Sequence, residues 1–447
     1  MLVTRGSRSV ALAACAALLL GTAACGGEEA EDAPAAKVRL YGTDGNMQNS
    51  FAKALKGRSG LLDGMKGTTP LTPLPQDFRD RLLEIDPELT DFLYAAETYD
   101  AIVITALASQ LAGSTSPAEI AKQIVGVTND GQRCDTVAIC LGLARDGKDI
   151  EFRGISLTRG GFTDAGEPSA ATYATLHFGP NEQLDEGKTE FLGAGGRSGS
   201  TTTPPPAKKA SAAVNRRSGA PLKLGELLPH TGDLAIAYPP MAAAAKLAVR
   251  EINEAGGVLG KPIEWIEGDD GTNPTTAKAT VARHIADGVH VIIGAAASGI
   301  SRAVLPDVIE AGLILFSPSN TDAGLSTIED KGLYFRTAPP DSLQGRALAD
   351  VILRDGPERI ALVARKDSYG EGLQAHVRDE LERAGHGNRV RLFTYVPPEG
   401  PDSPPIDFSA SAREIKEFGA EAVLLIGYAE SAQVIEALVD AGLEIQH

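Results

Sequence analysis

"VHVIIGAAASGISRAVLPDVIEAGLILFSPSNT", residues 289–321, holds the pattern that decides the fold. "VHVIIGAAAS" is a short, continuous apolar run and predicts a buried strand. "ISRAVLPDVIEAG" carries apolar residues at helical spacing and closes with Gly312, which predicts a helix and its stop. "LILFSPSNT" is again a continuous apolar strand running into a polar turn. Strands that are apolar along their whole length, joined by an amphipathic helix, belong to a parallel sheet covered on both faces. In such sheets binding groups collect at the carboxyl ends of the strands, here at Ser298, Ser319 and Thr321.

The alternation extends in both directions. Upstream, "MAAAAKLAVREINEAGG" reads as a helix and "KPIEWIEGDDG" as a strand entering a turn. "NPTTAKATVARHIADG" reads as a helix capped by Asn273 with Pro274 at its first position. Downstream, "RIALVARKDSYGEG", "RVRLFTYV" and "AEAVLLIGYAE" read as strands, with "LQAHVRDELERAG" and "SASAREIKEFG" as helices between them. The last run, "VIEALVDAGLEIQH" (Val434–His447), is a helix closed by Gly442, and the strand expected after it is not in line.

Before this half stands "GAGGRSGSTTTPPPAKKASAAVNRRSGAP", residues 193–221. It has almost no apolar content and predicts a flexible linker. Before the linker, residues 37–192 open with a strand, "KVRLYGTDG". They continue through the Pro-rich loop Thr68–Pro75, the helix "YDAIVITALASQLAG" and a second helix, "PAEIAKQIVGV". The segment ends in extended pieces around "RGISLTRGGFTDAG" and "ATYATLHFG". Alone it is a partial sheet whose helices lack a partner face.

Residues 1–24 read as a leader: Arg5 and Arg8, an apolar run from Val10 to Leu20 too short for a permanent span, and small residues before Cys25. "GTAAC" resembles the end of a bacterial lipoprotein signal, with Thr22 where Leu is usual. The expectation is cleavage before Cys25 and lipidation of that residue; an ordinary secretory signal is the alternative. Residues 25–36 then form an acidic tether. Cys134 and Cys140, in "GQRCDTVAICLG", predict a short-loop disulfide after export. A two-thiol metal site is the competing use.

The net charge of −17 excludes a nucleic-acid partner, whose phosphates call for an excess of Lys and Arg. It suits a protein whose partners are small molecules or one protein face. "GGVLGK" (256–261) has too short a spacing for a phosphate loop, and Pro262 stands where Ser or Thr is needed. Asp269 and Asp270 lack further ligands in register for a metal. The seven histidines form no HExxH or Ser/His/Asp order, and Glu371 has no partner carboxylate. No catalysis, cofactor or metal is expected.

The 222–447 half resembles the N-terminal half of type I periplasmic binding proteins, the branched-chain amino acid (Leu/Ile/Val) type serving ABC importers. The resemblance rests on "AVREINEAGGVLGKPIE", "VIIGAAAS", "LFSPSNT", "FRTAPPDSLQG" and "KDSYGEG", in family order and near family spacing. The 37–192 segment resembles the other half of the same family, through "VRLYGTDG", "YDAIVITALASQLAGSTSPAEIAKQI" and "GISLTRGGFTDAGEPSAATYATLHF". Read with Lys37 placed after His447, the text runs on as one family-length domain.

The implied fold is α/β, with two Rossmann-like lobes of parallel sheet around a hinged cleft, circularly permuted. The 193–221 linker would join the old ends, reaching roughly 90 Å if extended. Fusion of two decayed halves, or a domain-swapped dimer making the same contacts between chains, are the alternatives.

The resemblance implies an amino-acid-like ligand. Ser298, Ser319 and Thr321 would hold its carboxylate, unless those hydroxyls only cap helices. Asp44, in "YGTDG", would take its ammonium, although the family often has Glu there; a turn aspartate is the plainer use. Tyr369, Tyr428 and Tyr238 match cleft aromatics, a role that ordinary core tyrosines imitate. The implied partners are an ABC permease and the membrane, through the lipid anchor. A ligand-sensing lipoprotein with the same cleft, or a decayed fusion without binding activity, are the other readings.

Overall fold

The structure is a computed structural model and describes residues 36–55, 57–195, 199–206, 220–398 and 403–446. The leader, Cys25 and the tether up to residue 35 lie outside the described residues. In chain order the strands are β1 (Ala36–Gly42), β2 (Lys66–Pro70), β3 (Gln132–Cys134), β4 (Ile150–Phe152), β5 (Ala170–His177) and β6 (Glu190–Gly195). There follow β7 (Lys223–Leu227), β8 (Glu264–Ile266), β9 (Val291–Gly294), β10 (Ile314–Ser317) and β11 (Tyr334–Arg336). The last four are β12 (Ile360–Arg365), β13 (Val390–Tyr395), β14 (Ala422–Ile426) and β15 (Leu443–Ile445).

Two sheets organise two lobes. The five-stranded sheet runs β11-β10-β9-β7-β8, all parallel. The eight-stranded sheet runs β13-β12-β14-β1-β2-β5-β6, with β15 alongside β1. It is parallel except for β5 and β6. The stretch 289–321 folds as expected, with β9 and β10 buried at every residue around the helix Ser298–Glu310.

The two sequence halves are interleaved in both lobes. In the eight-stranded sheet β1 lies between β14 and β2, with Arg39 opposite Ala422 and Tyr41 opposite both Leu424 and Lys66. The run 434–447 forms the helix Ala432–Asp440 and then β15, a short strand the sequence had not suggested. β15 pairs with the start of β1, Val38 opposite Ile445. In the other lobe the helix Ala95–Ala112 is buried at all of its positions, which suits a sequence apolar on every face. It packs against the helix Tyr238–Glu254, and Ile102 and Ile104 share one core with Leu224, Val291 and Phe316.

Three local expectations need correction. First, 193–221 is not a free linker from its start. Gly193–Gly195 extend β6 along β5, and 199–206 lie on the opposite lobe. Ser200 N–H donates to Phe162 O at 2.7 Å, Thr202 Oγ1 donates to Asp164 at 2.8 Å, and Gln123 Nε2 donates to Pro205 O at 3.0 Å. Composition reports missing apolar burial, but here backbone bonds and hydroxyls on one carboxylate do the holding. Residues 196–198 and 207–219 lie outside the described residues. Second, "KDSYGEG" is not strand: β12 ends at Arg365 and a helix starts at Ser368, capped by Asp367, whose side chain accepts from Gly370 N–H. Third, 153–169 is loop apart from a Phe162–Pro168 bridge. Cys134 and Cys140 form a disulfide joining β3 to the first turn of the helix Val137–Arg145, Cα atoms 5.5 Å apart.

Candidate functional site

The carboxyl ends of the strands of both sheets converge on a narrow, tightly closed cavity between the lobes. From the five-stranded side it is lined by Ala296, Ser298, Ser319 and Thr321, with Leu234 and Ala237 from the segment after β7. From the eight-stranded side come Asp44, Gly45, Tyr369 and Tyr428, and Tyr94 closes the wall. Six of the seven residues singled out in the sequence therefore line one space. No Lys or Arg lines it.

The hydroxyl wall is made by two strand-to-helix turns. Ser298 is the first residue of its helix, and Ala297, not Ser298, holds the cap position. Ser298 Oγ accepts from the backbone N–H of Asp322 at 3.3 Å, and Ser319 Oγ donates to Ala296 O at 3.0 Å. The helix N-terminus beside Ala296 and Ser298 supplies the positive end of a dipole, which favours an anionic group there.

The opposite wall carries the charge. Asp44 follows β1 and is 5% exposed. A side chain at Gly45 would meet Gly427 O at 2.4 Å, so only glycine lets the turn after β1 close on the turn after β14. Asp44 Oδ2 accepts from Tyr94 Oη at 2.7 Å; its Oδ1 accepts from Tyr369 Oη at 2.9 Å and Gln344 Nε2 at 3.0 Å. Burial pushes the carboxyl above its usual range, while these three donors pull it back toward the ionised form.

Tyr369 and Tyr428 stack at 5.5 Å between centroids. Arg365 lies 3.8 Å over the far Tyr428 ring and is paired with Glu430 at 2.7 Å, which fixes that ring from behind.

Tyr238 does not line the cavity. Its ring packs on His230, centroids 4.1 Å apart, with Glu226 close by; its neighbour Ala237 faces the cavity instead. Tyr94 and Gln344 were not legible in the sequence. Tyr94 stands before its helix at φ 57°, a left-handed conformation uncommon for a bulky residue. Among the described residues no group of three or more His, Cys, Asp or Glu is placed to hold a metal.

The pattern of the family described as "Periplasmic binding protein" matches residues 221–446. That is half of the sequence, and with the two-lobed α/β architecture it places the chain in the periplasmic binding protein family, with the type I fold. The Leu/Ile/Val-binding protein of Escherichia coli is 31% identical over 204 residues, which are 45% of this chain and 53% of that protein. The leucine-, isoleucine-, valine-, threonine-, and alanine-binding protein of Pseudomonas aeruginosa is 30% identical over 225 residues, 50% of this chain and 58% of the relative. In both cases the chain spans less than two thirds of the relative's length. A solved structure, the branched-chain amino acid transporter substrate binding protein of Streptococcus pneumoniae in complex with isoleucine, shares 26% identity. The match covers 47% of this chain and 57% of that one, with a TM-score of 0.40.

Proposed function

We propose that the chain is an extracytoplasmic solute-binding protein of an ABC importer, anchored to the membrane through lipidated Cys25, which captures an amino acid or related small polar ligand between its lobes. The observation that carries this reading is the pairing of a buried carboxylate, Asp44, with a wall of hydroxyls and a helix N-terminus across one cavity. A zwitterion needs two such complementary ends, and Leu234, Ala237 and the tyrosine rings add an apolar lining suited to a small apolar side chain. The names of the relatives support an amino-acid ligand. The disulfide suits an oxidising compartment. Among the described residues no helix is long and apolar enough to cross a membrane.

The same reading includes circular permutation. The insertion of β1 between β14 and β2 supports it, as does the core shared by the helix Ala95–Ala112 with β7, β9 and β10. Thermal unfolding of residues 26–447 against an amino-acid panel tests the function, because a ligand that binds only the folded state raises the melting temperature. If no amino acid or amide raises it, the transport reading falls. A chain rebuilt as 222–447 followed by 37–192 tests the permutation. It is expected to fold as a monomer that responds to the same ligand, and failure to do so counts against the permuted origin.

A further inference from the structure

Two buried carboxyl groups, one lining the cavity and one behind it, stand in unlike surroundings. Asp44 accepts three hydrogen bonds. Asp341, the first residue of the helix Asp341–Arg354, is 0% exposed, and neither of its oxygens has a hydrogen-bond partner. The Thr321 hydroxyl lies near enough to favour its charged form, without completing a hydrogen bond of normal geometry. Three residues on, on the same helical face, Gln344 donates Nε2 to Asp44 Oδ1 and to Thr68 O, and its Oε1 is unpartnered too.

The charged and titratable groups facing Asp341 are Asp44, Asp322, Arg336, Tyr94, Tyr173 and Tyr369. Arg336 is the one cation among them. Its guanidinium is already committed to Glu167, to Ser326 Oγ and to the carbonyls of Asn320 and Asp322. An ionised Asp341 would be a buried charge without donors beside a second carboxylate, a costly state. A proton on Asp341 removes that charge.

Resting on the proposed function, we infer that Asp341 is a positioning residue of the ligand site: it holds a proton in the ligand-free protein, which leaves Asp44 ionised, and releases it when a ligand ammonium settles against Asp44. The balance is one ammonium taken up and at most one proton passed to solvent, with no covalent change. Asp341 does not line the cavity and acts through Asp44 and Thr321.

Two neighbouring buried carboxyls whose environments differ this much divide into one acid and one base. Burial first, and the charge of Asp44 second, push the Asp341 carboxyl well above its usual range. An ammonium at Asp44 opposes the second of these effects. Ligand affinity therefore rises with pH between the pKa values of Asp341 in the bound and free protein, by at most about tenfold per pH unit.

Calorimetric titration with leucine in two buffers of different ionisation enthalpy counts the protons exchanged. The wild type is expected to release up to one proton. Asp341→Asn is expected to release none and to show a Kd that no longer tightens with pH, and Asp341→Glu to restore the release. The ligand-free protein gives a second readout: a protonated-carboxyl C=O band in the infrared difference spectrum of wild type minus Asp341→Asn, which separates Asp341 from the other buried carboxyls, Glu97 and Asp270. Leucine binding without proton release by the wild type overturns the inference whether or not a variant folds, and so does a difference spectrum without the carboxyl band. If no amino acid binds, the proposed function falls separately, and the difference band decides the state of Asp341.

Discussion

The two walls of the cavity are built in opposite ways. The hydroxyl wall, Ser298, Ser319 and Thr321, comes from one strand–helix–strand unit of the five-stranded lobe and is neutral. Two of its hydroxyls also bond the local backbone, so each has work to do without a ligand. The acid wall is gathered from both sequence halves and holds one buried charge with three donors. The difference teaches where affinity resides. Removing one of several neutral donors costs little, whereas removing the counter-charge of a desolvated ammonium strands that charge.

The largest expected effect is accordingly at Asp44. Asp44→Ala should weaken leucine binding by about 2–5 kcal/mol, that is, by a factor between tens and thousands in Kd. Titration calorimetry measures it, and an unchanged Kd would remove Asp44 from ligand recognition and collapse the contrast. Tyr94→Phe comes next. It deletes one hydrogen bond to an ionised acceptor, a loss of about 1.5–3 kcal/mol in the charged form of Asp44. The expected result is roughly tenfold or more weaker binding, with the loss shrinking as pH rises and Asp44 ionises regardless. A loss independent of pH would assign Tyr94 to packing alone.

The same contrast explains what could be read without coordinates. Continuous apolar strands and periodic helices belong to the backbone pattern, so the β9–β10 unit and its terminal hydroxyls were visible in 289–321. The acid wall was visible only at Asp44, Tyr369 and Tyr428, and there through family resemblance. Gln344 and Asp341 sit in "PPDSLQG", which reads as an ordinary acidic helix start after a proline. Gln344 is buried against Asp44 and Thr68, and the helix packs on β2 and β5, all from the other half of the sequence, which local sequence does not describe. Tyr238 and Ala237 show how fine the margin is: Ala237 ends a 3-10 turn and Tyr238 starts the α-helix, so one residue decides which side chain faces the cavity. The strand β15 was missed because three residues after a helix carry no period of their own.

A third test probes where the walls meet. Asp233, from the five-stranded lobe, accepts a hydrogen bond from Ala429 N–H through its carbonyl, and its side chain faces Glu430. Burial first, and the charge of Glu430 second, raise its carboxyl to about 6. A raised acid binds its proton more tightly in the folded protein. Its contribution is complete below the usual carboxylate range and is lost as pH rises through about 6. Urea unfolding should therefore show Asp233→Asn more stable than wild type at pH 8 by up to about 3 kcal/mol, and no more stable at pH 4. Equal stabilities at both pH values would mean that the acid wall does not repel across the cleft.

The smallest expected effect is on the hydroxyl wall. Thr321→Val keeps the shape of the side chain and removes one neutral donor beside the helix N-terminus. If the ligand carboxylate is held by several such groups at once, the loss is about 0.5–1.5 kcal/mol, at most about tenfold in Kd. The backbone at this position is independently fixed, because Thr321 O accepts from Asp341 N–H at 2.7 Å, so the substitution should leave the wall in place. Melting temperature without ligand should be nearly unchanged, and the leucine-dependent rise should shrink without vanishing. A loss as large as that of Asp44→Ala would show that the carboxylate end depends on one hydroxyl, and that the two walls bear the ligand equally.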